Sequence, residues 1–123
     1  MKVEIDAAFQ KRSFKQLSAI WKLITIIFQT DSENHRLPTD DEKYELYEYL
    51  LDEYADKKIN KYNSNLVSPI RLSESKTINA AHFIDGLLYH LSSMCSIPMD
   101  LQAEVRDIIY QWEIWRGKQE IDI

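Results

Sequence analysis

The chain has 123 residues, is 45% hydrophobic and carries a formal net charge of −5 at pH 7, with two glycines, three prolines and one cysteine. This length suits one domain over residues 1–123, and the apolar content excludes a disordered chain. The lone Cys95 excludes an internal disulfide framework, and so few glycines and prolines argue against a sheet with many tight turns. We therefore expect an all-α fold.

The amino terminus does not resemble a signal peptide, because Glu4 and Asp6 follow Lys2 where an apolar run would be needed. The most apolar stretch, residues 19–28, contains Lys22 and is too short to span a bilayer. These features predict a cytoplasmic protein without a membrane partner.

Apolar residues at spacings of three and four predict a first helix that ends near Gln29. Its start has two candidates: Asp6 capping a long helix, or a capping box of Ser13 and Gln16 opening a shorter one. The predicted apolar face comprises Ala7, Phe14, Leu17, Trp21, Ile24 and Phe28.

The second helix has the clearest start, a capping box of Thr39 and Glu42 followed by carboxylates that the helix dipole favours. We expect it to run to about Lys58. Residues 60–75 are rich in Asn and Ser and contain Pro69, which predicts a long loop between helices 2 and 3. The predicted apolar arc of the helix comprises Leu46, Tyr47, Leu50, Leu51 and Tyr54.

Two further helices complete a predicted bundle of four. The third extends from about Lys76 to Ser93, and the fourth extends from about Pro98 to Arg116, with Gly117 at the C′ position. The predicted core face of the third comprises Ile78, Ala81, Ile84, Leu88, Leu91 and Cys95, and that of the fourth Leu101, Val105, Ile108, Trp112 and Trp115.

The sequence contains no set of residues that argues for catalysis or a cofactor. A metal site in a helical bundle needs convergent ligands on facing helices, and the pattern around His82 and Asp85 indicates a local polar pair instead. Cys95 closes an apolar face, which is typical of a buried structural thiol. We therefore expect a non-enzymatic protein without metal or cofactor.

The acidity of the chain is concentrated on the second helix. Residues 40–56 contain eight acids and one base, a net charge of −7, so the rest of the chain carries +2. Five of these acids follow helical spacing and form an acidic stripe without any Lys or Arg at i±3 or i±4. The stripe comprises Asp41, Glu45, Glu48, Asp52 and Asp56, flanked by Tyr44 and Tyr49.

Two interpretations of the stripe stay open. It is either a solvated helix face, partly neutralised by the cations of the first segment, or a surface that binds a basic partner. Tyrosines beside carboxylates favour the second, since they combine apolar area with hydrogen bonding. Direct binding to nucleic acid is disfavoured by the same charge. The cations of the first segment are Lys2, Lys11, Arg12, Lys15 and Lys22.

A second surface feature lies on the fourth helix, where Ala103, Tyr110 and Ile114 are opposite the predicted core face. Packing within the chain, a contact with residues 3–5 or self-association would each account for them, and the oligomeric state is left open.

An apolar first helix, an acidic second helix with tyrosines, and a last helix containing Gln111-Trp112 before Arg116-Gly117-Lys118 resemble bacterial toxin immunity proteins. The resemblance is to the contact-dependent-inhibition and nuclease-colicin types. The chain differs from the colicin type in two places: Glu113 follows Trp112, and residues 65–69 lack the tyrosines of that family's short third helix.

The resemblance implies a non-enzymatic inhibitor that binds a basic toxin, a nuclease, through the acidic helix. It implies that the inhibitor covers the toxin's nucleic-acid site or a neighbouring exosite. Reversing Glu45, Glu48 and Asp52 to Lys should then weaken binding. The alternative is a phage anti-defence protein or a regulatory helical subunit that binds a nucleic-acid-processing protein with the same face.

Overall fold

The computed structural model describes residues 14–94 and 97–122, with the backbone alone for residue 14 and residues 115–122. Within these ranges lie four α-helices: α1 (Phe14–Asp31), α2 (Asp40–Tyr54), α3 (Thr77–Ser92) and α4 (Met99–Asp122). A small antiparallel pair, β1 (Lys57–Ile59) and β2 (Val67–Pro69), lies between α2 and α3. The prediction of a mostly helical fold with four main helices is confirmed.

Helix α1 occupies the centre of the fold, because α2, α3 and α4 all pack against it. The face that periodicity predicts is therefore mostly wrong, because only Ile24 of its described side chains is fully buried. Leu17, Trp21 and Phe28 are half-buried. Both candidate start signals, Asp6 and Ser13, lie outside the described residues, as does Ala7. The buried apolar residues of α1 are Ile20, Leu23, Ile24, Ile26 and Ile27.

Helix α2 begins as predicted. The hydroxyl of Thr39 accepts a hydrogen bond from the Glu42 backbone N–H at 3.2 Å, and the Glu42 carboxylate accepts one from the Thr39 backbone N–H at 3.0 Å. The helix ends at Tyr54, however, and not at Lys58. Residues 57–59 instead pair with residues 67–69, so the predicted long loop contains a β-hairpin followed by a 3-10 turn at residues 72–74.

The bounds predicted for α3 are confirmed within one residue, but the predicted core face is partly wrong. Ile78 is 41% exposed, and Phe83, which lay outside the predicted face, is 2% exposed. Helix α3 packs against both α1 and α2. The residues that it buries therefore face both neighbours, and they differ from the single face that periodicity predicts. Its buried residues are Ala80, Phe83, Ile84, Leu87 and Leu91, and Cys95 lies outside the described residues.

The core face of α4 is confirmed for Leu101, Val105, Ile108 and Trp112, while the Trp115 side chain is outside the described part. The predicted end at Arg116 is wrong, because the helix continues through Gly117 to Asp122. A glycine inside a helix costs only about 1 kcal/mol relative to alanine, and Lys, Gln and Glu in the following turn favour the helix. None of the described helices is long and apolar enough to cross a membrane.

Tyr47 of α2 joins the helical core to the segment after the hairpin. Its ring lies 5.1 Å from that of Trp21 and 6.4 Å from that of Phe83, measured between centroids. Its hydroxyl accepts a hydrogen bond of 3.0 Å from the Leu72 backbone N–H. Burial raises the pKa of this hydroxyl. The contact fixes the 3-10 turn against α2, which places the neighbouring Arg71 beside the acidic helix.

Gly86 allows α2 and α3 to approach closely. A Cβ at this position would overlap the Cβ of Tyr54 and lie 2.8 Å from its Cγ. We expect Gly86→Ala to lower the free energy of unfolding by about 1–3 kcal/mol, the usual cost of overpacking, although alanine is the better helix former. Chemical denaturation of the purified protein measures this change.

The control is the same substitution in a Tyr54→Gly background, where the overlapping atoms are gone. There Gly86→Ala should be neutral or stabilising, so the double-mutant cycle should show coupling between the two positions. An equal cost in both backgrounds would mean that the close approach to Tyr54 is not the reason for the glycine.

Candidate interaction surface

The outer face of α2 carries a row of carboxylates that point away from the core. Asp41, Glu45 and Asp52 are exposed, and none of them makes a side-chain hydrogen bond or ion pair with a described residue. We call these three the acidic row. Tyr49, 53% exposed, lies beside the row. The row therefore combines unneutralised charge with an aromatic surface.

Glu48, the third of the five carboxylates in the predicted stripe, is bound by Arg71 from the segment that follows the hairpin. Both terminal nitrogens of its guanidinium group, Nη1 and Nη2, contact the Glu48 carboxylate, with Nη1 at 3.0 Å from Oε2. Nη2 also donates to the Tyr44 hydroxyl at 2.7 Å, and the guanidinium lies 5.5 Å from the centroid of the Tyr47 ring. The hydrogen bond from Arg71 lowers the pKa of Glu48, and the same bond raises that of Arg71. Glu48 and Tyr44 are thus engaged within the chain.

Asp56, the last member of the predicted stripe, does not belong to the helix, which ends two residues earlier. Its carboxylate lies 2.8 Å from Nδ1 of His82 and accepts a hydrogen bond of 2.9 Å from the Asn79 amide. Asp56 therefore ties the end of α2 to α3. The structure places Asp56 beyond the helix and in contact with α3, apart from the acidic row.

Glu42 is also neutralised, by Arg36 in the connection that precedes α2. The two side chains make a bidentate pair with distances of 2.9 and 2.5 Å. The hydrogen bond from Arg36 lowers the pKa of Glu42 to about 2. The pair holds the Glu42 carboxylate in the position where it completes the capping box. Because the pair is exposed, it adds little to stability by itself.

The predicted neutralisation by the first segment is not what the described residues show. Lys15 and Lys22 line a groove of about 400 Å³ between α1 and α4, together with Ile108 and Trp112. Lys2, Lys11 and Arg12 lie outside the described residues. Among the described residues, Arg36 and Arg71 form ion pairs with carboxylates of residues 40–56, and His82 and Asn79 contact the carboxylate of Asp56.

The histidines do not form the predicted local pair. His82 contacts Asp56, whereas Asp85 accepts a hydrogen bond of 3.1 Å from the indole N–H of Trp112 on α4. His90 lies 2.8 Å from the hydroxyl of Tyr54. Within the described ranges no three His, Cys, Asp or Glu side chains are placed to hold a metal ion. These groups connect helices to one another.

Sequence reasoning missed Arg71 as a member of this surface. The relevant signal was the change in composition after α2: residues 57–73 contain Lys57, Lys58, Lys61 and Arg71 and no acid. A cationic segment directly after an acidic helix indicates that the two contact each other. Which cation meets which acid depends on the hairpin, which was not predicted.

Comparison of the chain with protein-family models, with curated proteins and with solved structures found no significant match. A functional proposal therefore depends on the chemistry of this surface.

Proposed function

We propose that this chain is a non-enzymatic inhibitor of the immunity-protein kind, which binds and neutralises a basic nuclease toxin through the outer face of α2. The acidic row supplies the charge, and Tyr49 supplies an aromatic contact at its side. Tyr44 and Glu48 contribute through their fixed position beside Arg71. The toxin's cationic nucleic-acid site, or an exosite next to it, is the surface that would be covered.

The observation that carries this proposal is that the acidic row has no side-chain partner among the residues that the structure describes. Asp41, Glu45 and Asp52 keep their charges exposed along three turns of one helix, while Glu42, Glu48 and Asp56 are each satisfied by a described residue. Neighbouring like charges on a helix cost a few tenths of a kcal/mol per pair. A basic partner would relieve this repulsion. The same charges would accelerate its association and fix the relative position of the two proteins.

The position of the row supports binding by a preformed surface. Leu50 and Leu51 on the opposite side of α2 are buried in the core, and the Thr39 capping box fixes the start of the helix. The backbone of a packed helix is already ordered, so little of its conformational entropy is lost when a partner binds. The geometry is therefore suited to a rigid inhibitor.

The proposal predicts that a reading frame next to that of this chain encodes a nuclease domain, and the direct test uses that domain after purification. We expect an equimolar amount of the inhibitor to abolish cleavage of nucleic acid by this domain, and coexpression to protect cells from it. The inhibitor alone should cleave nothing. Undiminished cleavage at a tenfold molar excess of inhibitor would contradict the proposal.

A further inference from the structure

Arg71 contacts several side chains of α2 at once. Its guanidinium group binds the Glu48 carboxylate through both terminal nitrogens, and Nη2 also donates to the Tyr44 hydroxyl at 2.7 Å. The same group lies 5.5 Å from the centroid of the Tyr47 ring. A guanidinium group can serve several acceptors and an aromatic face together because it is planar and has donors on each nitrogen. We call Arg71, Glu48, Tyr44 and Tyr47 the Arg71 cluster.

The backbone that carries Arg71 is fixed by further hydrogen bonds. The N–H of Arg71 donates to Oε1 of Glu74 at 3.2 Å, and the N–H of Leu72 donates to the Tyr47 hydroxyl at 3.0 Å. The Leu72 side chain is buried. A substitution of the Arg71 side chain therefore removes the side-chain contacts of the cluster while these backbone bonds remain.

Tyr44 is the most exposed aromatic residue of the cluster, and it borders the acidic row. It is 53% exposed, one helical turn after Asp41 and directly before Glu45. Its ring lies 5.7 Å from that of Tyr47 between centroids, and its hydroxyl accepts the hydrogen bond from Arg71. A tyrosine held at its ring and at its hydroxyl offers contact area with little loss of side-chain conformational entropy on binding. Tyr44 is therefore a preorganised contact at the edge of the row.

The charges within the Arg71 cluster compensate each other. The guanidinium group of Arg71 and the carboxylate of Glu48 form an ion pair, and the two tyrosines are uncharged. The cluster therefore does not repel a basic partner that approaches the acidic row beside it. Energetically dominant contacts in protein interfaces are enriched in tyrosine and arginine, and they are often surrounded by polar groups that contribute less.

We propose that Arg71 is a positioning residue for binding the basic toxin, because it holds Tyr44 as an ordered aromatic contact. The inference rests on the proposed function and extends it, since it predicts that a cation of the inhibitor strengthens binding to a cationic partner. If charge alone decided affinity, removing Arg71 would strengthen binding, because the chain, at −5, would gain one unit of negative charge. If Arg71 positions Tyr44, its removal frees the ring, and the complex dissociates faster.

The test is the binding kinetics of the Arg71→Gln variant with the nuclease domain that the proposed function predicts. We expect dissociation at least about 5-fold faster than for the wild-type chain, with an equal or faster association rate because the negative charge has increased. The matched control is Lys61→Gln, which removes one cation from the same segment outside the Arg71 cluster. The ammonium group of Lys61 lies 5.3 Å from the centroid of the Tyr62 ring. This control should leave the dissociation rate unchanged.

A double-mutant cycle shows whether Arg71 acts through Tyr44. In a Tyr44→Ala background, Arg71→Gln should change the dissociation rate by less than about 2-fold, since the ring that Arg71 positions is absent. Acceleration as large as in the wild-type background would mean that Arg71 does not act through Tyr44, and it would overturn the inference. Unchanged or slower dissociation of the single Arg71→Gln variant also overturns it, as does equal acceleration by Lys61→Gln.

If circular dichroism shows that the Arg71→Gln variant is unfolded, Tyr44→Phe replaces it, because this change removes only the hydroxyl that accepts from Arg71. Dissociation should again be faster, and an unchanged rate would contradict the positioning role. A wild-type chain that does not bind the nuclease overturns the proposed function and this inference with it. Tight wild-type binding with unchanged dissociation in the variants overturns this inference alone.

Discussion

Phe83→Ala should lower the free energy of unfolding by about 3–5 kcal/mol, the range for removing a fully buried aromatic side chain. Phe83 lies on α3 where this helix meets α1 and α2, and its ring is 6.4 Å from that of Tyr47. Removing it leaves a cavity beside the residue that positions the Leu72 turn. Urea denaturation followed by circular dichroism measures the loss.

The matched control is Ile78→Ala on the same helix. Periodicity placed Ile78 in the core, whereas the structure leaves it 41% exposed. Its truncation should cost less than about 1 kcal/mol, as for most surface positions. Equal costs at the two positions, or a larger cost at Ile78, would show that the face of α3 packed against α1 and α2 is not the one described.

The second large effect is expected on partner affinity when the three negative charges of the acidic row are replaced by positive ones. We expect the variant Asp41→Lys/Glu45→Lys/Asp52→Lys to bind the neighbouring nuclease domain at least about 100-fold more weakly, which is about 2.8 kcal/mol at 1.4 kcal/mol per tenfold. The attraction that steers a basic partner is replaced by repulsion, so most of the change should appear in the association rate and in its salt dependence. Surface plasmon resonance over a range of salt concentrations measures both.

The structure changes which residues such an experiment should alter. A triple reversal that includes Glu48, as the sequence suggests, would place a lysine against the Arg71 guanidinium and remove the bond that fixes the hairpin base. Weaker binding by that variant would not distinguish the loss of contacts with the partner from disruption of the hairpin base. The three carboxylates of the acidic row have no described partner to lose, so their reversal reports on the partner.

Local signals predicted much of this fold. The capping box at Thr39 and Glu42 defines the start of α2, and the spacing of Leu101, Val105, Ile108 and Trp112 gives the buried face of α4. Both depend on residues that are close together in the sequence of one helix. A helix that packs on one side shows its face in its own periodicity. Helix α3 does not, because it has two neighbours and its apolar residues cover a wider arc.

The candidate surface was predicted less completely, because its composition depends on contacts far apart in sequence. Arg71 is 23 residues from Glu48, and His82 is 26 residues from Asp56. Neither acid has a lysine or arginine at i±3 or i±4, so the sequence predicts that both are unpaired. In the folded chain their partners, Arg71 and His82, come from other elements. Short strands such as β1 and β2 also carry too few residues to show a period of two. Removing these satisfied acids reduces the predicted stripe to the acidic row, a smaller and more specific surface.

The most direct test of the acidic row compares its reversal with an equal change of charge elsewhere. Asp100, Glu104 and Asp107 are exposed on α4 at similar helical spacing, so reversing all three to Lys alters the net charge by the same amount. Dissociation constants for the nuclease domain would be measured for the wild type and both triple variants, after circular dichroism confirms that each is folded. We predict at least about 100-fold weaker binding for the α2 variant and less than about 10-fold for the α4 variant. Equal losses in the two variants, or unchanged affinity in the α2 variant, would contradict recognition through the acidic row.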